Sequence, residues 1–280
     1  FPRMVDWNGD GLTDLLLGLA DGRVQFWENV GTSSNPLFDN PSFLQVGETG
    51  AKTEIDVGSR ATLAVIDWND DGRLDLVVGA LDGRIRVYLN EASSGLPDLR
   101  AELLVQDGLR DLVVPSGRSS PAVADLNGDG RKDLILGNTE GQILFFANRG
   151  LDEAPAFDGG EELYADGAVV DLPDIPRSRV FVGDHNDDGL LDLLIGAQDG
   201  RVLVALADSA PGPSEGEWTV GQVGLPFTFT FAIEQARLRV TGHETTNSAF
   251  ICHLSRPLDA SLLNLYDTAA AGYGAADVTV

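Results

Sequence analysis

Residues 67–79 read DWNDDGRLDLVVG. The same pattern returns as DWNGDGLTDLLLG at 6–18, DLNGDGRKDLILG at 125–137 and DHNDDGLLDLLIG at 184–196. The first aspartates stand at 6, 67, 125 and 184, a period of about 60 residues that fills most of positions 1–207. Counting that aspartate as position 1, position 13 is Gly in all four copies (Gly18, Gly79, Gly137, Gly196). Position 16 is acidic (Asp21, Asp82, Glu140, Asp199), and position 17 is again Gly (Gly22, Gly83, Gly141, Gly200). An acidic–Gly pair between two apolar runs marks a hairpin, because Gly accepts the positive φ of a tight turn.

DLLLG, DLVVG, DLILG and DLLIG are short continuous apolar runs, the signature of strands buried on both faces. A strand precedes each later loop (ATLAVID, SPAVAD, RVFVGD), and another follows the turn, as in RIRVYLN. A fourth is expected near 43–46, 103–105 and 163–165. Four short antiparallel strands per repeat is the content of a β-propeller blade. Gly, Pro and β-branched residues break any helical periodicity, and the repeat is longer than a β-helix coil. The chain is therefore expected to be all-β, a propeller of four-stranded antiparallel blades. Four repeats can close a small ring. Residue 1 already lies within a strand leading into a loop, which favours a larger ring of which these repeats are part.

Composition agrees. The 280 residues carry 44 Asp+Glu against 19 Lys+Arg, a formal charge of -25, with 43% hydrophobic residues. That is ample for a core and is not the signature of a disordered acidic tail. The acidity argues against nucleic acid, which needs a basic footprint. No apolar run is long enough to span a membrane, so no direct insertion is expected. A single Cys excludes an internal disulfide framework and any multi-cysteine metal site. The opening FPRMVDWNGD has neither an initiator Met nor a signal peptide and reads as a piece of something longer.

The nonapeptide D-x-N-x-D-G-x-x-D offers side-chain oxygens at positions 1, 3, 5 and 9, and a backbone carbonyl at 7. Ca²⁺ takes six to eight oxygens, and alternate residues of a tight loop can converge on it. The candidate ligands are Asp6, Asn8, Asp10, Leu12 (carbonyl) and Asp14; Asp67, Asn69, Asp71, Arg73 (carbonyl) and Asp75; Asp125, Asn127, Asp129, Arg131 (carbonyl) and Asp133; Asp184, Asn186, Asp188, Leu190 (carbonyl) and Asp192. About four calcium ions are expected, one per loop. They would bring the net charge to about -17. Gly at position 6 permits the bend also found in EF-hand loops, but position 12 is apolar where an EF-hand has Glu. The ladder is thus set in a β-hairpin. A metal-free Asp/Asn/Gly turn is the plainer alternative, and four intact copies weigh against it. Mg²⁺ suits the site less, since it tolerates irregular geometry poorly.

The motif DxNxDGxxDLxxG, the DG turn and the aromatic-x-Asn strand end together resemble the FG-GAP/VCBS repeats over roughly residues 1–207. These build calcium-loaded propellers, including the integrin α head and many bacterial surface and secreted proteins. The resemblance implies calcium in each loop and an extracellular or cell-surface setting. It also implies adhesion, ligand-binding or scaffold roles, with a protein or carbohydrate partner. A secreted carbohydrate-active enzyme on the same propeller, such as a polysaccharide lyase, is the alternative; a structural stalk is a third.

The pattern decays in the fourth copy. Position 24 reads Asn29, Asn90, Asn148, then Ala207, and position 22 reads Trp27, Tyr88, Phe146, then Ala205. The stretch 208–217 is Pro/Gly/Ser-rich and reads as a linker. The remainder, 218–280, lacks a calcium loop, alternates like strands, and resembles a partial immunoglobulin-like β segment, too short for a full sandwich.

Arg60, Arg118 and Arg177 stand seven positions before their loops. In a propeller that is the start of the innermost strand, at the channel mouth. They are candidates for binding carboxylates or sulfates of an acidic ligand. The alternative is pairing with acids of the adjacent blade, in a chain rich in them. Trp7 and Trp68 at loop position 2 can stack on sugars or fill the space between blades, the more usual fate of Trp. Three His (His185, His243, His253) with no nucleophile motif give a catalytic triad no support, and Cys252 reads as a small core residue. No catalytic residue is assigned.

Overall fold

In a computed structural model of the chain, residues 1–163 and 176–207 are described in full. The backbone alone is described for 164–165, 168–169, Phe231–Glu234, Val240–Thr245 and Phe250–Leu254. The described elements are all strands, and no helix is long and apolar enough to cross a membrane. The first blade is β1 (Pro2–Val5), β2 (Asp14–Gly18), β3 (Val24–Asn29) and β4 (Phe38–Phe43). A small hairpin, β5 (Gln45–Val46) and β6 (Thr53–Glu54), leads to the second blade: β7 (Thr62–Ile66), β8 (Asp75–Gly79), β9 (Ile85–Asn90) and β10 (Leu99–Leu104). The hairpin β11 (Gln106–Asp107) and β12 (Arg110–Asp111) precedes the third blade: β13 (Ser120–Ala124), β14 (Asp133–Gly137), β15 (Ile143–Phe146) and β16 (Glu161–Glu162). After β17 (Tyr164–Ala165) and β18 (Ala168–Val169) comes the fourth: β19 (Arg179–Gly183), β20 (Asp192–Gly196), β21 (Val202–Ala207) and β22 (Phe231–Glu234). Each blade is a four-stranded antiparallel meander with strands in chain order. The architecture is a four-bladed β-propeller. The Arg3 guanidinium of β1 lies 5.8 Å from the Phe181 ring of β19, so the innermost strands of the first and last blades face each other.

The fourth strands begin earlier than the sequence suggested, at Phe38, Leu99 and Glu161. Leu99 is the only buried residue of these three strands, so no run of core residues marks their starts. The chain divides into two compact units, Phe1–Glu234 and Gln235–Val280. Phe231–Glu234, within the stretch read as a partial immunoglobulin-like segment, pairs with β21 as the outer strand of the fourth blade. The linker 208–217 lies outside the described residues. So does most of 235–280, where β23 (Val240–Thr245) and β24 (Phe250–Leu254) form an antiparallel hairpin.

The core lies between blades rather than within one. Trp7, Leu16 and Phe26 of the first blade pack with Leu63, Leu76 and Val78 of the second. Trp68, Val77 and Val87 pack with Leu134, Leu136 and Phe146 of the third. Leu126, Ile135 and Phe145 pack with Val180, Leu193 and Ile195 of the fourth. The strand period of two sends alternate side chains to the two neighbours. Hence β8 and β14 are buried along their whole length, whereas β2 buries alternate residues only.

Two features lock adjacent blades. The position-13 glycines sit under the chain that enters the next blade. A Cβ on Gly18, Gly79 or Gly137 would lie 2.3, 2.4 or 2.6 Å from the carbonyl oxygen of Ala61, Ser119 or Ser178. A backbone ladder then crosses each junction. The Arg60, Arg118 and Arg177 N–H groups donate to the carbonyls of Ala20, Leu81 and Thr139 in the turn of the preceding blade. The carbonyls of Ser59, Gly117 and Pro176 accept from Leu81, Thr139 and Gln198 in the turn of their own blade.

Candidate metal-binding loops and the arginine cluster

Each loop leaves the innermost strand and returns along the second, so all four aspartate loops occupy one end of the blades. Within a loop the carboxylates are held by backbone N–H groups. Asp6 Oδ1 accepts from Gly9 and Asp10, and Oδ2 from Gly11. Asp10 Oδ1 accepts from Leu12. The same bonds recur from Asp67, Asp125 and Asp184 to the N–H groups at positions 5 and 6. These are Asx-type turns, for which Asp and Asn are suited.

The position-9 aspartates Asp14, Asp75, Asp133 and Asp192 are fully buried. One oxygen accepts from the position-2 N–H (Trp7, Trp68, Leu126, His185) at 2.8–3.2 Å. The other accepts from the position-24 N–H (Asn29, Asn90, Asn148, Ala207) at 2.7–2.8 Å. This carboxylate therefore ties the loop to the third strand. The bond uses only the backbone at position 24, so Ala207 serves as well as Asn. Burial, with the charge of Asp129 adding, pushes the Asp133 carboxyl up to about 7, against the N–H donors that oppose the shift. Asp75 is raised for the same reason, with Asp71 and Asp67 adding.

The donors of each loop are all oxygen, which suits a hard cation. A second observation fits: Asn69 Oδ1 is buried and has no hydrogen-bond partner, whereas its counterparts Asn8, Asn127 and Asn186 accept from the position-5 N–H. Two crowded, desolvated carboxylates and one orphaned carbonyl are what a cation would relieve. The carboxylates are engaged by N–H groups and do not converge: among the described residues no three His, Cys, Asp or Glu side chains form a group that could hold a metal.

The loops differ at position 7. Arg73 Nε donates to the Asn90 carbonyl at 2.6 Å, and its guanidinium pairs with Asp71. Arg131 does the same with Asn148 and Asp129. Leu12 and Leu190 bring no such charge to the other two loops. Lys132 adds a bridge between loops, its ammonium bonding the Asp67 carbonyl at 2.7 Å and Asp70 at 2.9 Å.

Two roles were not legible from the motif. The position-24 asparagines cap the connection to the fourth strand: Asn29 Oδ1 accepts from Gly31 and Leu37, Asn90 Oδ1 from Ala92 and Asp98, Asn148 Oδ1 from Gly150 and Ala156. Their recurrence was the only signal. Ser119 and Ser178, each following a motif arginine, accept from the Ala80 and Asn138 N–H groups and donate to the Arg84 and Gln142 carbonyls. Trp7 and Trp68 are buried between blades, while His185 at the same position is exposed.

At the opposite end stand Arg60, Arg118 and Arg177. All three are left-handed, with φ of 59°, 59° and 71°, a conformation costing a non-glycine residue roughly 1–2 kcal/mol. Arg118 is only 8% exposed. Burial lowers its pKa, and Arg177 and Arg60 lower it further. Among the described residues, none of the three guanidinium groups forms an ion pair or side-chain hydrogen bond. Among the described residues, the ion pairs with acids of the adjacent blade that the sequence allowed are not formed.

Residues 67–136 match the family described as FG-GAP-like repeat. That span runs from the second loop to the strand after the third, and the structure repeats the unit in every blade. The stretch 67–136 is thus an FG-GAP-like repeat. Among curated proteins the chain is similar to integrin alpha-4 of Xenopus laevis, 28% identical over 158 residues, or 51% of this chain and 15% of that protein. The chain thus spans a small part of that relative's length. Two solved structures match the chain at low similarity. A Photorhabdus luminescens Tc holotoxin pore matches 75% of this chain and 8% of its own at 15% identity and TM-score 0.40. BBS1N in complex with ARL6DN, soaked with lead, matches 90% and 61% at 12% identity and TM-score 0.40.

Proposed function

We propose that this FG-GAP-like repeat propeller is a calcium-loaded, non-catalytic module of an extracellular or cell-surface protein, acting in adhesion, ligand binding or as a scaffold. The observation that carries it is the recurrence of one all-oxygen loop at the same corner of four blades, with the position-9 carboxylate buried in each. The similarity to an integrin α subunit supports the setting. The ligands would be the side chains at positions 1, 3, 5 and 9, with the carbonyls of Leu12, Arg73, Arg131 and Leu190. Calcium would neutralise the clustered carboxylates and clamp each hairpin, so that binding free energy becomes folding free energy.

The test is a melting curve with and without EDTA, together with elemental analysis of the purified chain. The expected outcome is about four calcium ions per chain and a melting temperature lowered by roughly ten degrees or more on chelation. An unchanged curve with no bound calcium would refute the reading.

A further inference from the structure

The end opposite the aspartate loops is built unlike the rest of the described residues. Each of the three entering segments is pinned between two hairpin turns by the backbone bonds of Arg60, Arg118 and Arg177. Three consecutive blades therefore bring equivalent arginines to one rim in one conformation. If only the backbone mattered, Gly would serve there with less strain, and Gly58 and Gly117 at positive φ stand close by in the same segments. The side chains must then supply something that offsets the strain and the mutual repulsion of three like charges.

Local acids do not supply it. On the neighbouring turns, Asp21 is held by Arg23, Asp82 by Arg84 and Arg86, and Asp199 by Arg201. Glu140 accepts from the Ser116 hydroxyl at 2.5 Å. The acids among the described residues thus leave three adjacent guanidinium groups without an ion pair, one of them buried.

We infer that Arg60, Arg118 and Arg177 form a binding site for a compact oxyanion ligand, one that presents two or three carboxylate, sulfate or phosphate groups to the propeller mouth. The guanidinium fork matches each of these groups in a bidentate manner. A compact ligand is favoured over an extended polyanion because the turn acids surround the rim, and a long acidic chain would have to run across them. The site is at the opposite end of the blades from the loops and does not rest on the calcium reading.

The test is calorimetric titration of the whole chain at low ionic strength in about 1 mM calcium. The compact probe is benzene-1,3,5-trisulfonate and the extended one a heparin-derived decasaccharide. The trisulfonate is expected to bind one to one, more weakly as salt rises, and to raise the melting temperature. Arg118→Gly is expected to weaken it by about tenfold or more while the probe-free melting temperature holds or rises, because Gly is at ease at that φ and a central like charge is gone. Arg60→Gln, at an exposed position, is expected to weaken binding without touching the fold. The inference is overturned if the wild-type chain does not bind the trisulfonate, or if both variants bind it as the wild type does. It is also overturned if Arg118→Gly melts several degrees lower without probe, which would make the arginine a structural group. Tighter binding of the decasaccharide would replace the compact ligand with an extended one.

Discussion

The second and fourth blades carry almost the same motif and stand in different surroundings. In the second, every residue of β8 is buried, Trp68 is wedged against the third blade, and Gly79 lies under the carbonyl of Ser119. In the fourth, β20 is only partly covered and His185 is exposed. Among the described residues, no neighbouring chain crosses Gly196, whose nearest contact is Arg179 Cβ at 3.7 Å. The loop bonds around Asp75 and Asp192 are nevertheless the same. The hairpin and its aspartate ladder are therefore properties of the repeat itself. The value of the apolar and glycine positions depends on what packs against them.

The widest separation should come at loop position 2. Trp68→Ala is expected to cost about 3–5 kcal/mol, the range for emptying a buried aromatic site, whereas His185→Ala should stay within about 0.5 kcal/mol. Equal urea midpoints for the two variants would remove the distinction between the blades. Next come the glycines. Gly79→Ala forces a methyl against a backbone carbonyl and should cost roughly 1–3 kcal/mol. Gly196→Ala meets only ordinary contact and should be within about 0.5 kcal/mol of the parent or slightly stabilising. A large loss at Gly196 would mean that a further surface covers that edge. The smallest effect is expected at position 7. Arg73→Leu gives the second loop the residue of the first and fourth, removing a half-exposed pair worth at most about 1 kcal/mol. If the loops hold calcium, the same change should tighten metal binding at that loop, read by calcium titration, because a competing cation has gone.

Much of this was legible from the motif. The apolar runs, the acidic–Gly turns and the period led to four-stranded blades. The offset of the arginines puts them just before the innermost strands, at the end opposite the loops. What could not be read concerns partners distant in sequence. The position-9 aspartate looked like a metal ligand. That its two oxygens also hold the N–H groups of positions 2 and 24 follows only when the third strand lies beside the second. The position-24 asparagine recurs visibly, yet its two N–H donors come from a connection with no fixed spacing. That these arginines form no ion pair among the described residues is not readable from the sequence, because 44 acids offer partners on paper and the turn aspartates are taken by arginines of their own hairpins.

The sequence by itself determined the strand content, the hairpin turns and the oxygen-rich loops, because these follow from side-chain period, glycine conformations and Asx turns within about twenty residues. Only the tertiary structure decided which copies of a repeated residue are buried, which glycines lie under a neighbouring strand, and which charges remain unpaired. Those outcomes depend on side chains from the next blade, roughly 60 residues away in the chain, and an identical motif meets a different neighbour at each turn of the ring.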